Sequence, residues 1–167
     1  MKLNGKDKTM GEYVWTSISV GGKATRKVWD ELFEMCDEWA EQGDDLDRFA
    51  SGADTGYATF QGMRNYGNAD EVDEFCRDHG LTYFRHWGGA GGVFNSGAEF
   101  YSPSGGVKQI ETNDDGEPVA PLGWLERKMK DGASLGDITA ELLAASIHAV
   151  PALEIVAEAP QAESAEG

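Results

Sequence analysis

The carboxylates between residues 30 and 47 are the side chains whose types and spacing most suggest chemistry. Nine of these eighteen positions are Asp or Glu, and none is Lys or Arg. Carboxylates can transfer protons, ligate cations or attract basic surfaces. Proton transfer needs a desolvated carboxylate with a shifted pKa, and nothing in this spacing singles one out. The pattern therefore indicates a charged surface in preference to a catalytic pair.

Three histidines and two cysteines are the other candidates for a metal site or a nucleophile. His79, His86 and His148 have no ligand spacing with one another or with the cysteines, so neither a metal nor a cofactor is expected. Cys36 and Cys76 fall on the apolar sides of predicted helices, which indicates buried, reduced thiols. A Cys–His nucleophile pair stays open, although a thiol among apolar neighbours is usually inert.

Two kinds of loop are similar to ligand-binding motifs but depart from them. The Gly-Gly-Ala-Gly-Gly run at 88–92 lacks the Lys-Ser/Thr of a P-loop and leads into a strand, so it predicts a mobile hairpin. The acidic loop 44–47 lacks the Gly and terminal Glu of an EF-hand, and the Asn-Asp-Asp-Gly of 113–116 is typical of a turn. Weak calcium binding at these acidic loops stays open.

Charge narrows the class of partner. Thirty acidic and fourteen basic residues give a formal net charge of -16, about twice the upper end of what keeps a small domain soluble. Such a field repels phosphate backbones and anionic lipid, so direct nucleic-acid or membrane binding is disfavoured and a basic protein surface is the expected partner. No apolar run has the length of a signal peptide or a membrane span, and a cytoplasmic protein is expected.

Periodicity predicts an α+β fold. Alternation favours strands over 13–20, 57–64, 81–87, 93–101 and 107–112, the first ended by Gly21-Gly22. Helical patterns run from a Thr25 N-cap to Gly43, from an Asn68–Glu71 capping-box variant to Gly80, over 122–130, and over 135–149 after a Ser134–Asp137 capping box. We expect a two-layer sandwich in which an antiparallel or mixed sheet of about five strands carries two acidic helices on one face.

The 167 residues fit one main domain with appended segments. Residues 1–11 are expected to be a flexible basic lead, and residues 12–120 the α+β domain. Residues 121–156 should form C-terminal helices packed on that domain, and 157–167, rich in Ala and Glu, a disordered tail.

Both early helices have an apolar side and an acidic side. On a helical wheel the first directs six acids away from its apolar residues, and the second directs Asp73 and Asp78 outward with its other acids. Pairs such as Asp30 and Glu34 lie at i,i+4, where like charges cost a few tenths of a kcal/mol. Six acids over about 17 Å of axis are spaced about as closely as the phosphates of one DNA strand. The predicted partner-binding residues are Asp30, Glu31, Glu34, Asp37, Glu38, Glu41, Asp44, Asp45, Asp70, Glu71 and Glu74.

A second candidate surface lies in the strand 81–87. Tyr83, Phe84 and Trp87, with Arg85 and His86 between them, could form an exposed recognition surface, although alternation explains half of them as core.

In size, acidity and lack of a catalytic motif, residues 12–150 resemble small acidic anti-defence proteins of phages and mobile elements, namely anti-CRISPR proteins and DNA-mimicking anti-restriction proteins. Residues 68–86 and 112–121 are also similar to small proteins of mobile elements. The resemblance implies a non-catalytic, stoichiometric inhibitor whose carboxylates occupy the basic channel of a nucleic-acid-binding complex. An immunity protein for a basic nuclease and an enzyme with an unrecognised site are the alternatives.

Overall fold

The structure is a computed structural model that describes residues 12–37, 56–91 and 94–160. Its strands are β1 (Tyr13–Thr25), β2 (Ala58–Asn65), β3 (Thr82–Trp87), β4 (Gly97–Ser102), β5 (Gly106–Glu111) and β6 (Leu153–Val156). Its α-helices are α1 (Arg26–Met35), α2 (Asp70–Asp78), α3 (Leu122–Lys130) and α4 (Leu135–Leu143), followed by a 3₁₀ turn at Ile147–Ala149. The predicted α+β class is confirmed.

The sheet has the strand order β2-β1-β3-β4-β5, with antiparallel neighbours throughout this path. β3, β4 and β5 form an antiparallel meander. β6 pairs with the end of β1 in parallel, so the sheet is mixed.

The two faces of the sheet carry different cores. On one, here called the helix face, Ile18 and Val20 of β1 cluster with Trp29 and Leu32 of α1 and with Val72 of α2. On the other, the C-terminal face, strand residues pack against the segment that follows α4; this cluster contains Phe84, Ala98, Phe100, Ala145 and Val150. The two acidic helices therefore share one face, as predicted, and the C-terminal segment covers part of the opposite face.

β1 continues beyond its predicted end at Gly21-Gly22. Residues 22–25 pair with β6, and a Cβ atom at Gly21 would overlap the carbonyl oxygen of Pro151. Gly21 is therefore a site of close backbone approach within a strand, a role that glycine can have in a strand pattern besides ending it. Gly22 has φ +120, a conformation that favours glycine.

The predicted helix 135–149 is wrong in its second half. The Ser134–Asp137 capping box is present, but α4 ends at Leu143. Buried Ser146 then donates to the Leu143 carbonyl oxygen at 2.9 Å and accepts from the His148 amide, which starts a 3₁₀ turn. Pro151 disfavours helix at the residue before it, and the chain proceeds into β6, which the sequence pattern did not predict.

Helix α1 begins as predicted and ends early. The Thr25 hydroxyl accepts from the Val28 amide at 3.4 Å, but the helix ends at Met35 with Cys36 as C-cap, so the predicted end at Gly43 is wrong. Its last turn contains no basic residue, and acids follow it in sequence. Negative charge at a helix C-terminus opposes the macrodipole, which disfavours extension through this segment.

Helix α2 lacks the predicted Asn68 cap. Its N-cap is Ala69, which has no side-chain capping bond. Its C-terminal end is close to the prediction, because Gly80 has φ +67 and its amide and that of Leu81 bond to the carbonyls of Arg77 and Cys76. This is a Schellman motif, which requires a residue that tolerates positive φ.

The tight packing at Gly21 gives a stability test. Gly21→Ala is expected to lower the free energy of unfolding by about 1–3 kcal/mol, because the new methyl group must displace the Pro151 backbone. Urea denaturation measures the change. Gly56→Ala is the matched control, since no described atom beyond its chain neighbours lies within 4 Å of its added Cβ. Equal effects of the two substitutions would contradict the close contact between β1 and the residues before β6.

Candidate functional site, an acidic surface on two helices

Packing of the apolar side of α1 fixes the direction of its acids. Trp29 and Leu32 are fully buried, and the Trp29 indole nitrogen donates to the Glu154 carbonyl oxygen of β6 at 3.1 Å. The contact joins α1 to the strand that pairs with the end of β1. Asp30, Glu31 and Glu34 are consequently exposed.

A buried ion pair fixes α2 on the sheet. The Nε of Arg85, on β3, donates to both carboxylate oxygens of Asp73 at 3.2 and 3.0 Å, and its Nη2 lies 2.9 Å from Asp73 Oδ2. Arg85 Nη1 also donates to the Gly67 carbonyl oxygen at 2.7 Å. Asp73 is 3% exposed and Arg85 6%. The prediction that Asp73 points outward is therefore wrong: this carboxylate attaches the helix to the sheet.

Glu99 of β4 extends the ion pair into a network. It lies 3.4 Å from Arg85 Nη2, and it accepts from the Tyr83 hydroxyl at 2.5 Å and from the Gln109 amide at 2.6 Å. Arg77 of α2 donates to the same Tyr83 hydroxyl at 3.0 Å. Burial and the hydrogen bond to Glu99 raise the pKa of Tyr83 above its ordinary value, so the phenol keeps its proton.

The strand that carries this network is not the exposed recognition surface considered from the sequence. Tyr83, Phe84, Arg85 and His86 are all buried, and Trp87 is half-buried with the Arg85 guanidinium 5.3 Å from its ring centre. A polar residue that alternates with aromatic residues usually indicates the solvent side of a strand. Here a carboxylate from a covering helix neutralises Arg85, which sequence spacing does not reveal.

The acidic residues predicted to bind a partner are exposed wherever the structure describes them. These are Asp30, Glu31, Glu34, Asp37, Asp70, Glu71 and Glu74, here called the acidic surface. Glu38, Glu41, Asp44 and Asp45 lie outside the described residues. Asp30 pairs with Arg26 at 3.3 Å; within residues 12–37, 56–91 and 94–160, no ion pair neutralises the other six.

The geometry of the acidic surface differs from the predicted straight row. Because α1 ends at Met35, its helical part carries Asp30, Glu31 and Glu34 over only about 6 Å of axis. A row of six charges over about 17 Å required a helix that continued to Gly43. The acidic surface is instead assembled from two helices.

A cleft lies between the end of α1 and the start of α2, and the two acids in its lining belong to α2. It has a volume of ≈ 300 Å³ and is lined by Met35, Arg64, Asn68, Ala69, Asp70, Glu71 and Val72. Asp70 and Glu71 stand in the first turn of α2, where negative charge is favourable to the helix dipole. Glu34 lies in the last turn of α1, where negative charge opposes the helix dipole, so helix stability does not explain this acid.

The two thiols are buried and unreactive. Cys36 and Cys76 are free and fully buried in the helix-face core, as predicted, and burial raises the pKa of Cys36 to about 12. The sheet register directs His86 toward the C-terminal face, so His86 does not pair with either thiol. Within the described part of the chain, no group of three or more His, Cys, Asp or Glu side chains could hold a metal ion.

The glycine-rich loop borders a cavity of ≈ 580 Å³ near the ends of β4 and β5. Its lining residues include Gly89, Gly91, Glu111 and Asp114, and none of them is Lys or Arg. That composition disfavours a phosphate ligand. Residues 113–116 form the predicted turn, in which the Asn113 side chain accepts from the Asp115 and Glu117 amides at 3.0 and 2.9 Å.

His86 is a buried group with an unmet hydrogen-bonding requirement. It is 8% exposed, and its Nε2 has no partner. Gly116, with φ +82, packs closely on the ring. Burial lowers the pKa of His86, although Asp114 and Asp115 nearby act in the opposite direction. The neutral imidazole is therefore the form that the fold accommodates.

Comparison with known proteins gives no relative: no family model, no curated protein and no solved structure matches the chain. Among the residues that the structure describes, every helix is too short or too polar to cross a lipid bilayer.

The Asp73–Arg85 pair leads to a stability prediction. Asp73→Ala is expected to lower the free energy of unfolding by about 3–5 kcal/mol, since it removes the closer carboxylate partner of a buried guanidinium and leaves only Glu99 at 3.4 Å. Exposed Glu74→Ala is the matched control and should change stability by less than about 0.5 kcal/mol. In Asp73→Leu/Arg85→Met, most of the loss should be recovered. Chemical denaturation of all three variants tests the pair, and a mild effect of Asp73→Ala would contradict its structural role.

The pKa of His86 gives a pH prediction. Because the folded-state pKa lies below the unfolded value, the unfolded chain binds a proton first as the pH falls. The contribution of His86 to stability is therefore complete above about pH 6.5 and declines below it, by at most about 1.4 kcal/mol per pH unit. The stability difference between wild type and His86→Phe, measured by denaturation from neutral pH to about pH 5, should shift in favour of the variant. A difference that is constant with pH would contradict this assignment.

Proposed function

We propose that the protein is a non-catalytic inhibitor that binds, through the acidic surface, to a basic surface of a nucleic-acid-binding complex and blocks access of the nucleic acid. One observation carries the proposal. Five exposed carboxylates on α1 and α2 share one face of the fold, and within the described residues no Lys or Arg side chain pairs with them; they are Glu31, Glu34, Asp70, Glu71 and Glu74.

The carboxylates of the acidic surface can attract a partner because, within the described residues, most of them form no ion pair inside the fold. An exposed helix face ordinarily mixes signs, since oppositely charged pairs at i,i+4 stabilise a helix. On α1, Asp30 and Glu34 instead form a like-charged pair at that spacing, and only Asp30 has a described cationic partner, Arg26. Glu34 is therefore better explained by attraction of an external cation than by helix stability.

The positions of the helices favour binding without chemistry. α1 is fixed by Trp29 and Leu32 and α2 by the Asp73–Arg85 pair, so the carboxylates extend from backbones that are already ordered. A preordered surface loses less conformational entropy on binding. Channels that hold nucleic acid are lined with Lys and Arg, and a fixed set of carboxylates can occupy such a channel in place of phosphates.

Charge reversal tests the proposal. Glu31→Lys/Glu34→Lys/Glu71→Lys should abolish capture of the target from a bacterial lysate, because it replaces three contacts of the acidic surface with repulsive ones. The control Asp115→Lys/Glu126→Lys/Glu158→Lys makes the same change in net charge at exposed residues outside the acidic surface, and should still capture it. Wild-type capture should fall about tenfold or more between about 50 and about 200 mM salt.

The identity of the captured protein completes the test. The proposal expects a nucleic-acid-binding complex whose nucleic-acid binding the wild-type chain inhibits and whose capture excess duplex DNA prevents. Equal capture by the two triple variants would show that the acids of α1 and α2 are only a solvated surface. Capture of a partner that binds DNA and this protein simultaneously would refute blocked access.

A further inference from the structure

The cavity of ≈ 580 Å³ beside the glycine-rich loop carries negative charge only. Its lining includes Glu111, the last residue of β5, and Asp114, in the turn that follows, but no Lys, Arg or His. Within the described residues no ion pair neutralises either carboxylate. Unpaired carboxylates in a concave site attract a positively charged ligand.

The sequence around the cavity strengthens this field. Residues 109–123 contain Glu111, Asp114, Asp115 and Glu117 and no basic residue, and residues 88–98 contain no charged residue at all. Lys108, the nearest base along β5, lies in the lining of a different groove. The local charge therefore selects a cation without a competing base in the lining.

A buried hydroxyl in the same lining points to a ligand independently of the charge. Thr112 lines the cavity and is 6% exposed, and its Oγ1 has no hydrogen-bond partner among the described residues. The other hydroxyl in the lining, that of Ser96, already donates to Asp114 at 2.8 Å. A buried hydroxyl without a partner costs free energy, which a ligand that donates an N–H would recover.

An aromatic ring completes the lining. Phe94 borders the cavity, and its ring packs on Tyr66 with the centroids 6.0 Å apart. Its backbone is also fixed, because the Phe94 and Ala90 amides and carbonyls bond to each other at 3.0 and 3.2 Å. The face of an aromatic ring attracts cations and packs against carbon chains.

These groups favour an organic cation over a metal ion. No group of three or more His, Cys, Asp or Glu side chains in the described part of the chain could hold a metal. The volume of the cavity lies within the range of about 300–1,000 Å³ that is usual for small-molecule sites. An ammonium or guanidinium group offers several N–H donors, enough for two carboxylates and a hydroxyl together.

We propose that this cavity binds an organic cation. Its ammonium or guanidinium group pairs with Glu111 and Asp114 and donates to the Thr112 hydroxyl, while its carbon chain packs against Phe94 and Val119. The cation is either a free amine or the Lys or Arg side chain of a protein, since both present the same group. The site is separate from the acidic surface and does not depend on the proposed function.

Titration of the full-length, ¹⁵N-labelled protein, followed by NMR at about 150 mM salt to screen non-specific attraction, tests the proposal. Putrescine, a free diamine, should shift the amide resonances of Gly89, Gly91 and residues 111–114, whereas 1,4-butanediol, its uncharged analogue, should not. Capped pentapeptides with a central Lys, Arg or norleucine form the second arm. Tighter binding of putrescine identifies a free amine as the ligand, and tighter binding of the Lys or Arg peptide identifies a protein side chain.

Two variants examine the groups that define the site. Glu111→Gln/Asp114→Asn should weaken binding of the tightest probe about tenfold or more, because it removes both charges at nearly constant volume. The matched control Glu126→Gln/Glu158→Gln makes the same change in net charge at exposed residues outside the cavity. Thr112→Val should weaken binding about threefold or more and leave the unfolding temperature unchanged or higher, since the lost hydroxyl has no partner in the free protein.

Several results would overturn the proposal. One is equal weakening by the two charge-neutralising double variants, and another is an affinity that Thr112→Val leaves unchanged. Shifts of the same amides by calcium chloride, with none from putrescine or the Lys and Arg peptides, would assign the cavity to a metal ion instead. Thermal unfolding shows whether each variant is folded; if Glu111→Gln/Asp114→Asn is not, Thr112→Val decides.

Discussion

The buried ion pair between Asp73 and Arg85 is the interaction on which the position of the acidic surface depends. α2 has only nine residues and no side-chain N-cap bond, and a helix this short is unstable alone. Val72 and Cys76 bury its apolar side, but apolar contacts are non-directional. The guanidinium of Arg85 bonds to both oxygens of Asp73 and to the Gly67 carbonyl. It thereby fixes the rotation of α2 about its axis and the path of the chain that leads into it. The direction of Asp70, Glu71 and Glu74 follows from both.

Local signals in the sequence predicted the elements whose conformation depends on residues nearby in the chain. The Thr25 cap, the Ser134–Asp137 capping box, the bounds of α3 and the 113–116 turn all rest on interactions within about five residues. Alternation likewise located β2 to β5 to within a few residues, and the outward direction of the described partner-binding acids followed from the helical period.

Interactions between distant residues account for what the sequence did not predict. Gly21-Gly22 terminates a strand by local rules, yet β6, more than a hundred residues away, pairs with the next residues. Asp73 has the helical position of an exposed acid, yet Arg85 twelve residues later compensates its burial. The spacing of acids also assumed that α1 continued, whereas repulsion and an unfavourable dipole oppose its extension. In the first two cases a partner outside the local pattern determined the outcome, whereas the end of α1 follows from charges within the helix and directly after it.

Two sites of this fold should respond differently to conditions, because they rely on different forces. The acidic surface acts through several charges that remain in solvent, so its attraction extends over a Debye length of about 8–10 Å and weakens as salt is added. The cavity beside the glycine-rich loop adds a buried hydroxyl and an aromatic ring to its two carboxylates, and contacts with these groups are short-range and depend less on salt. A ligand of the cavity also pairs fewer charges than a basic complex held by α1 and α2. Salt therefore provides a way to measure the cavity while the acidic surface is screened.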